Sequence, residues 1–179
     1  MRYFLIWLLW AVPAMANPML IDDFSDASAA RWQYVSDRVM GGVSDGRATI
    51  GTENDAQFAQ LRGTVSTANN GGFIQIRRAL PDALPTGSTG LVLRVRGNGA
   101  AYYVHLRSKD ASRPWQYHQA RFETTSQWQE VTLTWDAFAP NGGIPKGFAP
   151  QDIRSLGVVA YGADYEAQID VDWIEVLVP

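Results

Sequence analysis

The sequence predicts an all-β fold, an antiparallel β-sandwich or jelly roll, and three observations lead to this prediction. About eight to ten short runs are rich in β-branched and aromatic residues, and several alternate between apolar and polar side chains. Glycine, proline, asparagine and aspartate separate these runs, as they do at turns. A helical period is weak throughout the chain, so that two packed antiparallel sheets are the expected architecture.

The candidate strands, in chain order, cover residues 58–65, 72–77, 91–96, 102–107, 116–122, 128–135, 155–161 and 168–176. Asn69-Asn70-Gly71 supplies the turn between the first two of them. Gly97-Asn98-Gly99 predicts a hairpin turn that joins the third strand to the fourth. Two short helical turns are expected at residues 26–31 and 135–138.

The first sixteen residues predict a secretory signal peptide. A positive start, Met1-Arg2, precedes an apolar run of about ten residues, which is roughly half of what a membrane span needs. Ala14-Met15-Ala16 matches the pattern of small residues at a cleavage site. We therefore expect cleavage after Ala16, a single domain over residues 17–179 without a transmembrane span, and export to a periplasmic location.

Composition and motifs argue against several classes of function. The 179 residues include 18 acidic and 15 basic side chains, and this net charge of −3 disfavours a nucleic-acid binder. The chain has no cysteine, which removes disulfides, thiolate metal sites and cysteine nucleophiles. A dinucleotide loop at residues 97–102 would need glycine where Tyr102 stands, and the alternation places His105 and His118 on opposite faces. The sequence predicts a protein without enzymatic activity, cofactor or metal ion, with His118 packed in the core.

Strand alternation assigns the side chains of residues 91–96, 102–107 and 116–122 to an apolar and a polar face. If these three strands are neighbours, the polar face gathers eight candidate binding residues: Arg94, Arg96, Tyr103, His105, Arg107, Tyr117, Gln119 and Arg121. Guanidinium groups beside aromatic rings suit sugars, carboxylates or a peptide backbone. The alternative is a solvated sheet face on which arginine stems cover the rings.

Four carboxylates lie near the two ends of the predicted domain, and they are Asp22, Asp23, Asp170 and Asp172. If the terminal strands pair, these side chains meet, and their oxygens then suit a structural Ca²⁺ ion or a pair of glycosidase carboxylates. Acidic strand edges that are simply solvated are the expected alternative.

The most distinctive segment covers residues 32–46. Gly41 and Gly42 permit backbone angles that other residues avoid, and Met40 beside them suggests a flexible apolar plug. Asp37 can hold the turn through backbone N–H groups. These features predict a tight structural corner in a loop, with a functional contact as the alternative.

Residues 36–44 (SDRVMGGVS), preceded by Trp32, resemble the signature of the complex I intermediate-associated protein 30 family. The similarity continues through residues 58–73, 117–124, 128–131, 136–138 and 153–157. The resemblance implies a galactose-binding-like β-sandwich. It also marks a family-motif loop, which comprises Trp32, Asp37, Met40, Gly41 and Gly42.

The resemblance also implies a function. Mitochondrial members of the family are non-enzymatic factors in the assembly of respiratory complex I, so that a chaperone-like protein-interaction module is expected here. Because an exported chain cannot meet the matrix-side or cytoplasmic arm of complex I, the resemblance implies the fold more directly than the partner, and the protein partner is left unidentified. The sandwich also resembles carbohydrate-binding modules, which makes glycan binding through the arginine, tyrosine and histidine face the alternative.

Overall fold

The computed structural model describes residues 18–25 and 28–179, and the predicted signal peptide lies outside the described residues. One helical turn, α1, covers Ser28–Arg31. The twelve strands of the described residues are β1 Met19–Asp22, β2 Gln33–Ser36, β3 Asp45–Glu53, β4 Ala56–Val65, β5 Phe73–Ala79, β6 Gly90–Gly97, β7 Ala101–Ser108, β8 Tyr117–Glu123, β9 Gln129–Thr134, β10 Ala139–Asn141, β11 Ile153–Tyr161 and β12 Tyr165–Leu177.

The strands form two six-stranded sheets, and within each sheet every pair of neighbouring strands is antiparallel. The first sheet has the order β3-β4-β12-β6-β9, with β1 also paired to β12. The second sheet has the order β10-β8-β7-β11-β5-β2. This arrangement confirms the predicted antiparallel β-sandwich, in which each sheet turns one face towards the core and the other outwards.

The alternation along β7 explains how the chain forms its core. Tyr102, Val104 and Leu106 are fully buried between the sheets, whereas Tyr103 and His105 lie on the outer face of the second sheet. The same period of two buries the matching apolar side chains of β6 and β12 from the opposite sheet. The sequence pattern therefore identified the inner and outer faces correctly.

The hairpin predicted at Gly97-Asn98-Gly99 is wrong, because these residues carry the chain from the first sheet to the second. β6 pairs with β9 and β12, while β7 pairs with β8 and β11. The backbone N–H of Gly97 donates to the carbonyl of Thr125, and the side chain of Asn98 accepts a hydrogen bond from the Tyr102 hydroxyl. A turn signal shows where the chain reverses, but it does not show which strand becomes the neighbour.

The strands that the sequence analysis missed lie mostly at sheet edges. β2 and β10 are the two edges of the second sheet, and β3 is an edge of the first. Edge strands can be short and polar, so they lack the apolar alternation that reveals an inner strand. Residues 32–46 are consequently not one loop, since β2 and the start of β3 enclose a turn of 3-10 helix at Asp37–Met40. The second predicted turn forms at Trp135–Ala137, and α1 lies within the range predicted for the first.

Candidate functional site

The motif segment, residues 36–44, is organised around the buried carboxylate of Asp37. Its oxygens accept hydrogen bonds from the backbone N–H and the hydroxyl of Ser44, at 2.9 and 2.5 Å. They also accept hydrogen bonds from the backbone N–H groups of Gly72 and Phe73, at 2.5 and 3.3 Å. Asp37 therefore ties the connection between the two sheets to the start of β5, which confirms the predicted structural corner.

Two glycines make room for this carboxylate. A Cβ atom added to Gly42 would lie 2.7 Å from the Cβ of Asp37, and one added to Gly71 would lie 2.8 Å from its Cγ. Gly41 has a φ of 93°, a left-handed conformation that suits glycine. The two adjacent glycines of the motif thus serve different purposes, since one supplies a backbone angle and the other supplies space.

Burial by itself would raise the pKa of Asp37, because it penalises the charged carboxylate. The hydrogen bonds from Gly72, Ser44 and Phe73 outweigh this effect and lower the pKa below its ordinary value. The side chain is therefore ionised at neutral pH, and its role in the structure depends on that charge.

The prediction that Met40 plugs the interior is wrong. Its side chain is 59% exposed, and the neighbouring Val39 and Val43 are 76% and 45% exposed. Trp32 is the apolar member of the motif that packs inwards, with its ring 5.3 Å from Phe24. The motif segment therefore presents three apolar side chains to solvent on a backbone that Asp37 holds in place.

The eight predicted binding residues do not share one face. Arg94 and Arg96 lie on β6 in the first sheet, whereas the other six lie on β7 and β8 in the second. This part of the prediction is corrected because it assumed that β6 and β7 were neighbours.

Both arginines of β6 have partners on their own sheet. Arg94 forms an ion pair with Asp172, and the Nε of Arg96 donates to Asp170 at 2.8 Å. The guanidinium group of Arg96 also lies 4.4 Å from the centroid of the Trp128 ring. These contacts neutralise the charges within the sheet and assign Arg94 and Arg96 a structural role.

The six predicted residues on β7 and β8 share the outer face of the second sheet with Tyr161, which the sequence analysis missed. An aromatic cluster, defined here as Tyr103, His105, Tyr117 and Tyr161, lies on the outer face. The ring of His105 stacks on Tyr117 at a centroid distance of 4.0 Å, and Tyr161 lies 5.6 Å from both His105 and Tyr103. Tyr161 joins the cluster because β11 pairs with β7, a neighbour relation that strand alternation does not reveal.

Beside the aromatic cluster, three side-chain atoms are covered but have no hydrogen-bond partner in the described part of the chain. They are the Nε2 of His105, the Nε of Arg107 and the Oε1 of Gln119. Burial lowers the pKa of His105 to about 3, so its ring is neutral at physiological pH. Burial and the Tyr161 hydroxyl raise the pKa of Tyr117. Arg121, at the margin of this face, pairs with Glu123 at 2.6 Å and is exposed.

An open cavity of about 490 Å³ adjoins this face. Its lining, which we call the arginine cavity, consists of Arg31, Gln33, Arg77, Arg78, Ala79, Pro81, Arg107 and Ser155. Four of these residues are arginine, and among the described residues that line it none is acidic. Arg77, Ala79 and Ser155 were not predicted as site residues, because the sequence does not show that β11 lies beside β7 and that β5 follows β11 in the sheet.

The carboxylates considered as calcium ligands bind arginine instead. Asp22 accepts hydrogen bonds from Arg31 and Arg78, and Asp170 pairs with Arg62 and Arg96. Within residues 18–25 and 28–179, no three histidine or acidic side chains form a group that could hold a metal ion. Two of the four carboxylates on which both hypotheses rested, Asp22 and Asp170, are therefore paired with arginine rather than with each other.

The prediction for His118 is confirmed, because its side chain is fully buried. The Nε2 atom lies 2.9 Å from the carbonyl oxygen of Pro145, and the ring packs against Phe148. Across the described residues, no helix has the length and hydropathy required to cross a membrane.

Comparisons with known proteins identify the family of this chain and provide further evidence for its fold. The family model of complex I intermediate-associated protein 30 matches residues 22–170. No curated protein matches the chain significantly.

Similar solved structures include a family 11 carbohydrate-binding module from Clostridium thermocellum in complex with a β-1,3-1,4-mixed-linked tetrasaccharide. It is 14% identical with a TM-score of 0.73, and the match covers 91% of this chain and 96% of that one. The family 11 module of a cellulosomal cellulase of the same organism gives 14% identity and a TM-score of 0.74, with 92% and 96% covered. An exo-β-agarase is 8% identical with a TM-score of 0.62, over 90% of this chain and 25% of that one. These similarities show a shared β-sandwich fold of the galactose-binding-like type.

Proposed function

Because the chain belongs to the complex I intermediate-associated protein 30 family, we propose that it is an exported, non-catalytic protein-interaction module with a chaperone-like role in assembly. The motif segment, residues 36–44, is its proposed contact surface. The observation that carries this proposal is the exposure of Val39, Met40 and Val43 on a backbone fixed by Asp37.

Exposed apolar side chains in a cluster are typical of surfaces that bind a partner. Met40 adds an unbranched side chain that adapts to different apolar surfaces. The hydrogen bonds to Asp37 restrict the backbone beneath these side chains before a partner arrives. A segment that is already ordered loses less conformational entropy on binding, which favours recognition of another protein.

A photo-crosslinking residue in place of Met40 is expected to capture a discrete protein partner in envelope extracts prepared with mild detergent. The same residue in place of Leu20, another exposed apolar side chain, is the matched control and should give no such product. The double substitution Val39→Ser and Val43→Ser should reduce the Met40 product severalfold, because it removes the apolar neighbours. Products measured by mass spectrometry that are equal at both positions, or absent at both, would contradict the proposal.

The outer face of the second sheet favours a second candidate function, the binding of a glycan. Its aromatic cluster offers ring faces against which a sugar ring can pack. The shared sandwich fold supports this candidate, since one similar structure holds a tetrasaccharide.

For this candidate, Tyr103→Ala is expected to weaken glycan binding by more than about tenfold, which corresponds to about 1.4 kcal/mol. Tyr103→Phe keeps the ring and should bind nearly as well as the unchanged protein. The measurement is a glycan array followed by calorimetric titration of the best ligand, with melting temperatures to confirm folding. An array that stays blank at millimolar concentration, or equal losses in both variants, would count against glycan binding.

A further inference from the structure

We propose that the arginine cavity binds the carboxylate group of an acidic saccharide, a ligand built from uronic acid units. This inference goes beyond the protein-interaction proposal and is independent of it. It rests on the second candidate function, the binding of a glycan, and it specifies the chemical class of that glycan.

The first argument is the charge of the cavity. Arg31 and Arg78 share the buried carboxylate of Asp22, so that two guanidinium groups face one acid. Arg77 and Arg107 form no ion pair in the described part of the chain. The cavity therefore holds two arginines without an acidic partner in the described part of the chain, in addition to the two that share Asp22, although the whole chain has a net charge of −3. A local field of this sign attracts an anionic ligand and disfavours a cationic one.

The second argument is the placement of the two unpaired arginines. They extend from β5 and β7, on either side of β11, where Gly157 lies opposite Arg77 and Ser155 lies opposite Arg107. The Nη2 of Arg107 donates to the carbonyls of Ala111 and Arg113, at 3.1 and 3.0 Å. These bonds use both hydrogens of Nη2 and hold the guanidinium plane in position, so that the Nη1 group of Arg107 is left to donate to a ligand. Arg77, whose side chain makes no hydrogen bond to the described residues, can pair with a carboxylate through two parallel hydrogen bonds, a geometry that a neutral hydroxyl cannot complete.

The third argument separates a saccharide from a simple anion. Gln33 and Ser155 add an amide and a hydroxyl to the cavity lining, and both suit hydroxyl groups. His105, which stacks on Tyr117, lies two residues from Arg107 on the same face of β7. A ligand with a carboxylate, several hydroxyls and an apolar ring face satisfies all of these groups. A uronic acid has this combination, whereas sulfate and phosphate lack the ring.

The experiment uses short oligomers of galacturonic, glucuronic and mannuronic acid, each titrated calorimetrically at low ionic strength into the protein without its predicted signal peptide. At least one oligomer is expected to bind, and its methyl ester should bind at least about tenfold more weakly, because esterification removes the charge and keeps the ring. Arg77→Gln and Arg107→Gln should each weaken binding about tenfold. Arg47→Gln, which makes the same change in charge on β3 of the opposite sheet, should leave binding unchanged.

Several results would overturn the inference. Equal affinity for acid and ester would show that the carboxylate is not recognised. Equal affinity for inorganic sulfate would show that the cavity binds anions in general rather than a saccharide. Equal affinity for hexaglutamate would show that its ligand is an acidic peptide. If a neutral glycan binds and all three uronic acid oligomers fail, this inference falls while the glycan candidate stands. The side chain of Arg77 makes no hydrogen bond to the described residues, so Arg77→Gln remains interpretable even if Arg107→Gln disturbs residues 111–113.

Discussion

Replacing Asp22 with alanine is expected to lower the free energy of unfolding by about 3–5 kcal/mol, the usual cost of removing one partner from a buried ion pair. The side chain of Asp22 is fully buried, and it accepts hydrogen bonds from Arg31, Arg78, the Nε1 of Trp32 and the backbone N–H of Phe24. Its loss leaves the charge of Arg78, whose side chain is only 9% exposed, without the carboxylate. The packing of β1 against β5 and α1 is therefore expected to weaken.

Urea unfolding followed by tryptophan fluorescence measures this change. Asp23→Ala is the matched control, because the neighbouring carboxylate is exposed and bonds locally to Ser25; its cost should stay within about 0.5 kcal/mol. Combining Asp22→Ala with Arg78→Met should restore part of the stability, since it removes the uncompensated charge. A loss below about 1 kcal/mol for Asp22→Ala would contradict the account of this buried pair.

Asp37→Ala is expected to destabilise the fold by about 3 kcal/mol or more, because each unsatisfied buried donor costs about 1–3 kcal/mol. The substitution removes the acceptor for the backbone N–H groups of Ser44, Gly72 and Phe73 and for the Ser44 hydroxyl. For a domain of this size, the melting temperature should fall by about 6–12 °C. Asp45→Ala, which removes an exposed carboxylate paired with Arg38 at 3.5 Å, is the control and should change it little.

The pH dependence of Asp37 offers an independent measurement. Its pKa is lowered in the folded protein, so its contribution to stability is fully present above the unfolded pKa of about 3.9. That contribution is lost as the pH falls through the lower folded pKa. Between pH 5 and pH 2, the stability of the unchanged protein should therefore fall more steeply than that of Asp37→Ala. Parallel stability curves would show that the carboxylate is not held in its ionised form.

The inner faces of the sheets were predictable from residues alone. Leu91, Leu93 and Val95 occupy alternate positions and are buried, and a strand sends alternate side chains to opposite faces whatever its neighbours are. Asp37 was likewise predicted to hold a corner, since a short carboxylate next to glycines suits a turn. Its bond to Gly72 was not predicted, because the contact joins residues 35 positions apart.

The candidate site depended on information that the local sequence does not contain. Arg96 and Arg107 both extend from the outer side of a strand, but one lies beside Asp170 and Trp128 while the other lines the arginine cavity. Alternation assigns a side chain to a face and leaves open which sheet that face belongs to. Met40 shows the same limit, because only the path of the chain between two sheets decided that its side chain points to solvent.

By itself, the sequence determined the β-sandwich, the family and the inner positions of the strands, because these follow from local alternation and from a specific motif. The tertiary structure alone decided which arginines are neutralised on their own sheet and which line the arginine cavity. It also brought Tyr161 to His105 and Arg77 to the cavity shared with Arg107. The physical reason is that strand pairing is a long-range choice, made by the packing of whole sheets rather than by any one segment.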